Sequence, residues 1–467
     1  MRQATRRAMC AIAIAAVAVL ASSDALPDLP APSVSVIPAV AASPADATSP
    51  ELQAAARAIA SERALSGSVA GIAILDVDTG HLLAKVGEHT LLSPASNAKL
   101  YTAGAALATL HGEHRYETTL SGKLSGTAVS GSLGLRGYGD PSLTTSDLWG
   151  LVQSLKAFGV TRVDGDVVVD QRFYDERTTP PAFDQEPNEW AAFRAPVSAV
   201  AVDENCVTMT VRPSSPGGPA HVVFDPPGFV DVDGTVRTAA PGGADTVELA
   251  LSGNGARLSA KVSGAISADS RLIRFTRRAE DPRLLGGYAL ASLLEQADIK
   301  VAGTVKLGAA KGHVLAKHAS APLSSLLYAL GKRSDNFYAE MIYKSIAGES
   351  KGRPANDANT ADLVSRWLGR IGAADPGVVL KNGSGLFDAD RVTAYSTVQL
   401  LRWAWRDPTV QPEYVAQLSV GGIDGTLHKR FRSDLTRRRV RAKTGTLDDV
   451  IALSGYVLRG SGKGPIA

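Results

Sequence analysis

The middle of the chain follows a different pattern from the segments on either side, and this contrast most constrains the fold. From about residue 120 to residue 280, short apolar runs alternate with glycine and proline clusters, which is typical of strands in small β-rich modules. Outside this block, apolar residues recur at helical spacing. The strand-like runs are Gly165–Asp170, Val207–Val211, His221–Phe224, Val247–Leu251, Leu258–Val262 and Leu272–Phe275. The helical segments cover residues 51–64, 96–110, 281–296, 322–346, 356–369 and 396–406. The pattern predicts an α+β domain interrupted by a β-rich insertion.

The expected domain organisation has five segments. Residues 1–25 have the form of a signal peptide, because three arginines precede an apolar run too short to span a bilayer comfortably. An uncleaved anchor is the alternative, and both place the folded part outside the cytoplasm. Residues 26–50 form a flexible lead rich in Pro, Ala and Ser, and residues 51–145 and 281–467 form the core around an insertion at 146–280. Because residues 460–467 have the pattern of a turn entering a strand, we expect the chain to be truncated there.

Composition excludes several classes of protein. Of 467 residues, 45% are hydrophobic and 20% are charged, as in ordinary globular proteins. A net charge of +3 is too small for a dedicated nucleic-acid binder or a polybasic membrane binder. Two cysteines rule out a disulfide scaffold and a cysteine-based zinc site. We expect no metal or other cofactor, and we interpret His111 to His114 as the end of a helix rather than a metal site.

Ser96 and Lys99 form the first candidate site. Residues three apart on a helix share a face, so the two side chains would meet. Ser96 would lie at the helix N-terminus, where free N–H groups favour developing negative charge. A desolvated lysine near other cations loses its proton readily and activates a serine. Taken alone, the match is common enough to arise by chance.

Two further motifs lie in the second half of the chain. Ser334 and Asn336 are two residues apart and would supply a hydroxyl for proton relay and an amide donor, although such triplets also cap helices. Lys443 begins the run Lys-Thr-Gly-Thr, in which Lys443 and Gly445 would share one face of a strand. The alternative for Lys443 is a strand-edge lysine that discourages aggregation.

In this order, the three motifs resemble the signature of penicillin-binding proteins and serine β-lactamases. Ser96 and Ser334 are 238 residues apart, further than in a β-lactamase. The chain is therefore identified as similar to the class C low-molecular-mass penicillin-binding proteins, the D-alanyl-D-alanine carboxypeptidase/endopeptidase family. Other segments that resemble this family are Gly137–Leu143, with Tyr138 as a departure, Asp164–Asp170, Ala195–Ala199, Asn382–Leu386 and Asp424–Leu427.

The resemblance implies a transpeptidase-like core, interrupted by the β-rich insertion, that catalyses acyl transfer. Ser96 would attack the penultimate D-Ala of a peptidoglycan stem peptide, with Lys99 as the base and Ser334 and Lys443 assisting. The N–H groups of Ser96 and Thr446 would hold the oxyanion. The same core implies acylation by β-lactam antibiotics.

The remaining family positions concern substrate binding. Asn336 would hold the substrate amide. Thr444 and Thr446, together with Lys443, would hold the terminal carboxylate, and Gly445 would leave room for the substrate backbone. Glu189 lies where the family often has an acid near the amino end of the substrate, although a solvated loop acid is the alternative.

Two other functions remain open. One is a serine β-lactamase or esterase on the same core, which rapid turnover of penicillin would reveal. The other is an inactive cell-wall-binding homologue. We expect peptidoglycan stem peptides and β-lactams as partners, no nucleic acid, no firm membrane span and an extracytoplasmic location.

Overall fold

The computed structural model describes residues 48–350, 352–460 and 462–467. The expected signal peptide and nearly all of the expected lead therefore lie outside the described residues. The chain divides into two compact units. Unit 1 contains the described residues up to Gly112 together with Leu327–Asp335 and Thr360–Ala467, and unit 2 contains Glu113–Leu326 and Asn336–Asn359.

The helices and strands are numbered along the chain. The helices are α1 Pro50–Ala60, α2 Ala98–Leu110, α3 Thr145–Ala157, α4 Leu285–Gln296, α5 Leu323–Tyr328, α6 Asn336–Ser350, α7 Asp357–Arg370, α8 Ala394–Arg406 and α9 Gln411–Ala416. The first strands are β1 Ile72–Leu75, β2 Leu82–Val86, β3 Glu117–Ser125, β4 Ala128–Gly137, β5 Arg162–Val163, β6 Val167–Asp170, β7 Cys206–Arg212, β8 His221–Asp225, β9 Val230–Gly234 and β10 Arg237–Ala239. The later strands are β11 Glu248–Asn254, β12 Arg257–Ser263, β13 Ala265–Ser267, β14 Ile273–Arg278, β15 Lys300–Val301, β16 Val305–Leu307, β17 His313–Ala319, β18 Ser419–Val420, β19 Val440–Thr446 and β20 Ile451–Val457.

Unit 1 contains two antiparallel ladders, β1–β2 and β18–β19–β20. Ile466 lies between them, because it bridges Val457 at the end of β20 and Asp76 just after β1. The β1–β2 hairpin turns through Gly80, whose φ of +81° suits glycine. The helix predicted over residues 96–110 and the strand predicted to carry Lys443 and Gly445 are both present.

Capping residues and burial explain where the helices of unit 1 lie. Ser49 caps α1, which places Leu52 and Ala56 in a small apolar cluster with Ala84 of β2. Thr393 caps α8 by accepting the Ser396 N–H over 3.0 Å. α2 is buried along most of its length, as expected of a central helix that is apolar on all sides.

Unit 2 is built on a seven-stranded sheet with α3 and α4 against its apolar core. The order is β15-β5-β4-β3-β17, and β6 pairs with both β4 and β16. The β-rich part adds the ladders β14-β7-β8 and β11-β12-β9 and the pair β10–β13, with Met209, Val211, Val236, Val262 and Ile266 buried in a second apolar cluster. Cys206 is buried at the start of β7.

The unit boundaries differ from the expected positions 145 and 280. The physical reason is pairing across a long stretch of sequence, since β17 pairs with β3 in the same sheet as β4, β5 and β6. α3 also lies in the block expected to be β-rich. A capping box between Thr144 and Asp147 begins this helix, and Leu148, Leu151 and Leu155 bury its inner face.

The long helix expected over residues 322–346 is interrupted. α5 is followed by a π-helix over Ala329–Arg333, and Ser334 then adopts a left-handed conformation with φ +61°. α6 begins at Asn336. π-turns inside helices are frequent at functional sites. No helix within the described ranges is both long and apolar enough to cross a bilayer.

Candidate active site

Ser96 lies where the short 3₁₀ helix Ala95–Asn97 leads into α2. Its side chain is half-buried, whereas Lys99, one turn later, is fully buried. The Lys99 Nζ donates a hydrogen bond to Ser96 Oγ over 3.0 Å. The three-residue spacing therefore places a hydroxyl and an amine in direct contact at the start of a helix, where the helix dipole favours negative charge.

Lys99 has a second acceptor, which the sequence motifs did not reveal. Its Nζ also donates to the backbone carbonyl of Ser384 over 2.8 Å. Ser384 belongs to the segment Asn382–Leu386, here called the 382 turn. Thr102 on α2 fastens the 382 turn, because its hydroxyl donates to the Gly383 carbonyl over 2.7 Å. The direction of the Lys99 amine is thus fixed from two sides.

Two glycines allow the backbone to close around the residue before Ser96. Ala95 has a φ of +46°, a conformation that L-residues rarely adopt and that recurs at active sites. A Cβ on Gly385 would lie 1.8 Å from the Ala95 carbonyl oxygen. A Cβ on Gly445 would lie 2.8 Å from the Pro94 carbonyl oxygen. Gly445 therefore makes room for the protein's own backbone, a role that the sequence analysis did not foresee.

Replacement of Gly385 by alanine is expected to destabilise unit 1 strongly. The added methyl group would overlap the Ala95 carbonyl, so the free energy of unfolding should fall by more than about 3 kcal/mol. Gly372→Ala is the matched control, since Gly372 has a similar φ of +73° but open space around its Cβ position. Left-handed strain alone should cost that variant about 1–2 kcal/mol. Urea unfolding measures both, and equal losses would contradict the close approach of Gly385 to Ala95.

Lys443 on β19 is fully buried although it carries an amine. Its Nζ donates to Ser334 Oγ and to the Thr444 carbonyl, both over 2.7 Å. Burial, and next the positive charge of Lys99, lower the pKa of Lys443 well below its ordinary value. Lys99 is therefore close enough to Lys443 for its charge to disfavour the protonated form of the Lys443 amine.

The π-helix explains how Ser334 reaches Lys443. The left-handed turn at Ser334 ends the π-helix, and the Asp335 N–H donates back to the Ala329 carbonyl over 3.1 Å. Lys332 holds the turn from the other side by donating to Asp424 Oδ2 over 2.7 Å. A continuous helix, as the periodicity predicted, would not turn the chain at Ser334.

The backbone of β19 leaves the Thr446 N–H directed away from β20. Hydrogen-bonded pairs alternate along an antiparallel ladder, and the Leu447 N–H donates to the Val450 carbonyl over 2.9 Å. The neighbouring Thr446 therefore directs its N–H to the opposite edge of β19. β18 pairs with that edge at Arg441 and Ala442, well before Thr446 is reached.

The two threonines of the motif differ in their side-chain environment. The Thr444 hydroxyl donates to Thr426 Oγ1 over 2.8 Å, and Thr426 in turn contacts the Ser419 hydroxyl. Thr446 is exposed. Thr444 is thus tied to the Asp424–Leu427 segment, whereas the Thr446 side chain faces solvent.

Asn336 and Glu189 belong to unit 2. The Asn336 Nδ2 donates to the Phe193 carbonyl over 2.9 Å, which orients its amide. Glu189 is exposed, and its Oε1 accepts the Ala191 N–H over 2.8 Å, a local turn contact.

Buried arginines hold the loop that contains both Glu189 and Phe193. The Arg278 guanidinium donates to the carbonyls of Glu189 over 2.8 Å and Pro187 over 2.9 Å. Arg194 donates to the Glu189 carbonyl over 3.1 Å. The loop is therefore held by charge-assisted bonds to its backbone.

Among residues 48–350, 352–460 and 462–467, no three His, Cys, Asp or Glu side chains are grouped as a metal site would need. His114, in the segment interpreted above as the end of a helix rather than a metal site, is partly buried, and burial lowers its pKa. What this arrangement offers chemically is a serine hydroxyl in contact with a buried amine, with a second buried amine of lowered pKa, Lys443, acting on the same group, which suits nucleophilic attack on a carbonyl carbon.

Comparison with known proteins identifies the family. The model of the D-Ala-D-Ala carboxypeptidase 3 (S13) family matches residues 52–465. A D-alanyl-D-alanine carboxypeptidase from Actinomadura sp. (strain R39) is 35% identical over 422 residues, covering 86% of this chain and 77% of that protein. The carboxypeptidase DacB of Haemophilus influenzae is 26% identical over 408 residues, covering 85% of this chain and 84% of that protein.

Solved structures agree with this assignment. Penicillin-binding protein 4 from Haemophilus influenzae superposes with a TM-score of 0.71 at 25% identity, covering 85% of this chain and 88% of that chain. The same protein in complex with a β-lactam gives a TM-score of 0.68, again at 25% identity, covering 86% of this chain and 88% of that chain. The expected α+β penicillin-binding fold is therefore confirmed. The chain belongs to the D-Ala-D-Ala carboxypeptidase 3 (S13) family and is a serine-type D-Ala-D-Ala carboxypeptidase with the fold of the penicillin-binding proteins.

Proposed function

We propose that Ser96 is the nucleophile and Lys99 is the base that activates it. The contact of 3.0 Å between Lys99 Nζ and Ser96 Oγ carries this assignment. As a neutral amine, Lys99 would keep its donor bond to the Ser384 carbonyl and turn its lone pair to the Ser96 hydroxyl. The nearby charge of Lys443 favours that neutral form, because two like charges in a buried site disfavour each other.

In the acylation step, Ser96 Oγ bonds to the carbonyl carbon of the penultimate D-Ala while its proton passes to Lys99 Nζ. The carbonyl oxygen becomes an oxyanion, which the N–H groups of Ser96 and Thr446 would stabilise. The direction of the Thr446 N–H, away from β20, supports this role. Loss of one such donor typically costs about 10²–10³ in rate.

Collapse of the tetrahedral intermediate breaks the C–N bond. The leaving amine takes a proton, for which Ser334, bonded to Lys443 over 2.7 Å, is the proposed relay. Water then adds to the acyl carbon, and the bond from that carbon to Ser96 Oγ breaks. One proton of the water returns to Ser96 Oγ, the other passes to solvent, and the shortened peptide leaves as a carboxylate. Lys443 and Thr446 are proposed to hold the terminal carboxylate of the substrate, with Thr444 bracing the strand through Thr426.

The proposed substrate is a peptidoglycan stem peptide ending in D-Ala-D-Ala. In endopeptidase action, the leaving amine would belong to a neighbouring cross-linked stem. β-Lactams would acylate Ser96 in place of the peptide, as the β-lactam complex of the Haemophilus relative suggests. Because peptidoglycan lies outside the cytoplasm, we also propose an extracytoplasmic location. For Asn336, bonded to the Phe193 carbonyl through Nδ2, we propose that Oδ1 accepts from the substrate amide.

The direct test is product release. The purified chain is incubated with a stem pentapeptide and with a cross-linked stem dimer, and free D-Ala and dimer cleavage are measured separately. D-Ala release supports the carboxypeptidase proposal, and dimer cleavage supports the endopeptidase extension. A folded protein that releases no D-Ala but rapidly consumes benzylpenicillin would instead be a β-lactamase.

Glu189→Gln is expected to affect peptide substrates selectively. Removing the charge should lower kcat/KM for a stem peptide with a free amino end by about 3–10-fold, the loss of one exposed ion pair of about 1 kcal/mol. Acylation by benzylpenicillin, which lacks that amino end, should not change. Both rates are measured on the same preparation.

The matched control for this prediction is Glu186→Gln on the same loop, since Glu186 is also exposed. It should leave both rates unchanged. If Glu189→Gln and Glu186→Gln show the same kcat/KM for the stem peptide, Glu189 is a solvated loop acid without a role in substrate binding.

A further inference from the structure

Asp390 is a buried acid close to the 382 turn (Asn382–Leu386). Its side chain is almost wholly buried, and its Oδ1 accepts the backbone N–H groups of Lys381 over 2.7 Å and Asn382 over 3.2 Å. Its Oδ2 is buried and has no hydrogen-bond partner among the described residues. A buried carboxyl oxygen without a partner is costly, so its retention calls for an explanation.

The segment held by Asp390 also holds Lys99. Asn382 closes the 382 turn by accepting the Gly385 N–H at its Oδ1 over 2.9 Å. The same turn presents the Ser384 carbonyl to Lys99 Nζ over 2.8 Å. Asp390 is therefore connected to the Lys99 amine indirectly. It binds the backbone of the 382 turn, and the backbone of that turn binds the amine.

Charge provides a second link between the two residues. Burial raises the pKa of Asp390 to about 7, opposed by the two N–H bonds and by the positive charges of Lys99 and Arg391. Such coupling is reciprocal, so an ionised Asp390 must favour the protonated form of Lys99. Lys443 acts on Lys99 in the opposite direction. Lys99 thus lies under the influence of a buried anion and a buried cation.

We propose that Asp390 is a positioning residue for Lys99: its carboxyl group anchors the 382 turn that orients the Lys99 amine, and its charge governs how readily that amine becomes the free base. This inference rests on the proposed role of Lys99 in activating Ser96. It assigns a function to a residue outside the Ser-x-x-Lys, Ser-x-Asn and Lys-Thr-Gly motifs.

The test uses Asp390→Asn, which keeps an oxygen acceptor for the two N–H groups and removes the ionisable charge. The rate of acylation by benzylpenicillin is measured from pH 5 to pH 9 by intact mass. In the wild type the Asp390 carboxyl is ionised above about pH 7, and there the anion should hold the proton on Lys99. Without the anion, Lys99 should lose its proton more easily in this range, so the part of the profile that rises above pH 7 should move to lower pH by on the order of one unit. Above about pH 7 the variant should acylate up to about 10-fold faster than the wild type, and below pH 7, where Asp390 is already neutral, the two profiles should converge. Simple structural damage would instead slow the variant at every pH.

Asp388→Asn is the matched control, because Asp388 is exposed and pairs with the same Arg391 over 2.6 Å. It should leave the profile unchanged. A wild-type protein that is acylated, together with an Asp390→Asn profile that superposes on it, would overturn the inference while leaving the proposed function intact. A wild-type protein that is not acylated would instead refute the proposed function.

A measurement on the wild type covers the case in which Asp390→Asn does not fold. In protein labelled with ¹⁵N-lysine, the amide of Lys381 reports the ionisation of the carboxyl that it donates to. We expect its chemical shift to titrate near pH 7, in step with a bend in the acylation profile. A Lys381 amide that does not titrate between pH 5 and pH 9 would also overturn the inference.

Discussion

Ser96→Ala is expected to abolish covalent reaction with benzylpenicillin. The wild-type chain should gain the mass of one penicilloyl group, and the variant should gain none. The reason is that Ser96 Oγ is the oxygen in contact with Lys99 Nζ, and loss of a nucleophile typically lowers the rate by about 10⁴-fold or more. Intact mass spectrometry measures the adduct, and release of D-Ala from a stem peptide should be lost in parallel.

Ser93→Ala is the control for this result. Ser93 lies three residues before Ser96, and its Oγ is buried without a hydrogen-bond partner among the described residues. Removing that hydroxyl should be close to neutral for stability and should leave acylation unchanged. A penicilloyl adduct on folded Ser96→Ala would show that another residue is the nucleophile, and peptide mapping of the adduct would locate it.

Local patterns predicted the elements around Ser96 and Lys443 well, because each depends on neighbours in sequence. The spacing of Ser96 and Lys99 on one helical turn led directly to the observed contact. The Lys-Thr-Gly-Thr run was likewise predicted to lie on a strand, and it forms the end of β19. Where one element is enough to set the geometry, the sequence carries the necessary information.

Long-range pairing could not be predicted in this way. β3 and β17 share a ladder, although almost two hundred residues separate them, and this pairing moved the unit boundary from the expected residue 145 to residue 112. The break at Ser334 also escaped prediction, because helical periodicity continues through a π-helix while the backbone does not. Neither feature leaves a local pattern in apolar residues.

The contacts that surround Lys99 could not be predicted from the sequence for a different reason. Its second acceptor is the Ser384 carbonyl, and a backbone atom leaves no trace in residue type. The Asn382–Leu386 segment resembles a family landmark, but its residue types do not show that its backbone presents this carbonyl to Lys99. No local pattern singles out Asp390, because nothing in the neighbouring sequence distinguishes it from the exposed Asp388 two residues earlier.

Lys99→Met is expected to lower the acylation rate strongly while leaving the free energy of unfolding nearly unchanged. Methionine has a similar shape but no amine, so acylation by benzylpenicillin should fall by about 10²–10⁴-fold, the usual contribution of a general base. Stability should change little. Removing the buried Lys99 amine relieves its unfavourable interaction with Lys443, whereas leaving the Ser384 carbonyl without its donor costs about 1–3 kcal/mol. Stopped-flow acylation and urea unfolding measure the two quantities.

Lys344→Met is the matched control, because it is expected to lower stability without changing the acylation rate. Lys344 is also fully buried, but it lies on α6 of unit 2 and pairs with Asp175 over 2.5 Å. The Lys344 Nζ also lies 3.8 Å from the buried carboxyl of Asp357. Removing the amine leaves that buried carboxyl without its cation, so the free energy of unfolding should fall by about 3–5 kcal/mol. The acylation rate per folded molecule should stay at the wild-type value. If Lys99→Met instead acylates as fast as the wild type, a group other than Lys99 takes the Ser96 proton. The close Ser96–Lys99 contact would then serve only to position the nucleophile.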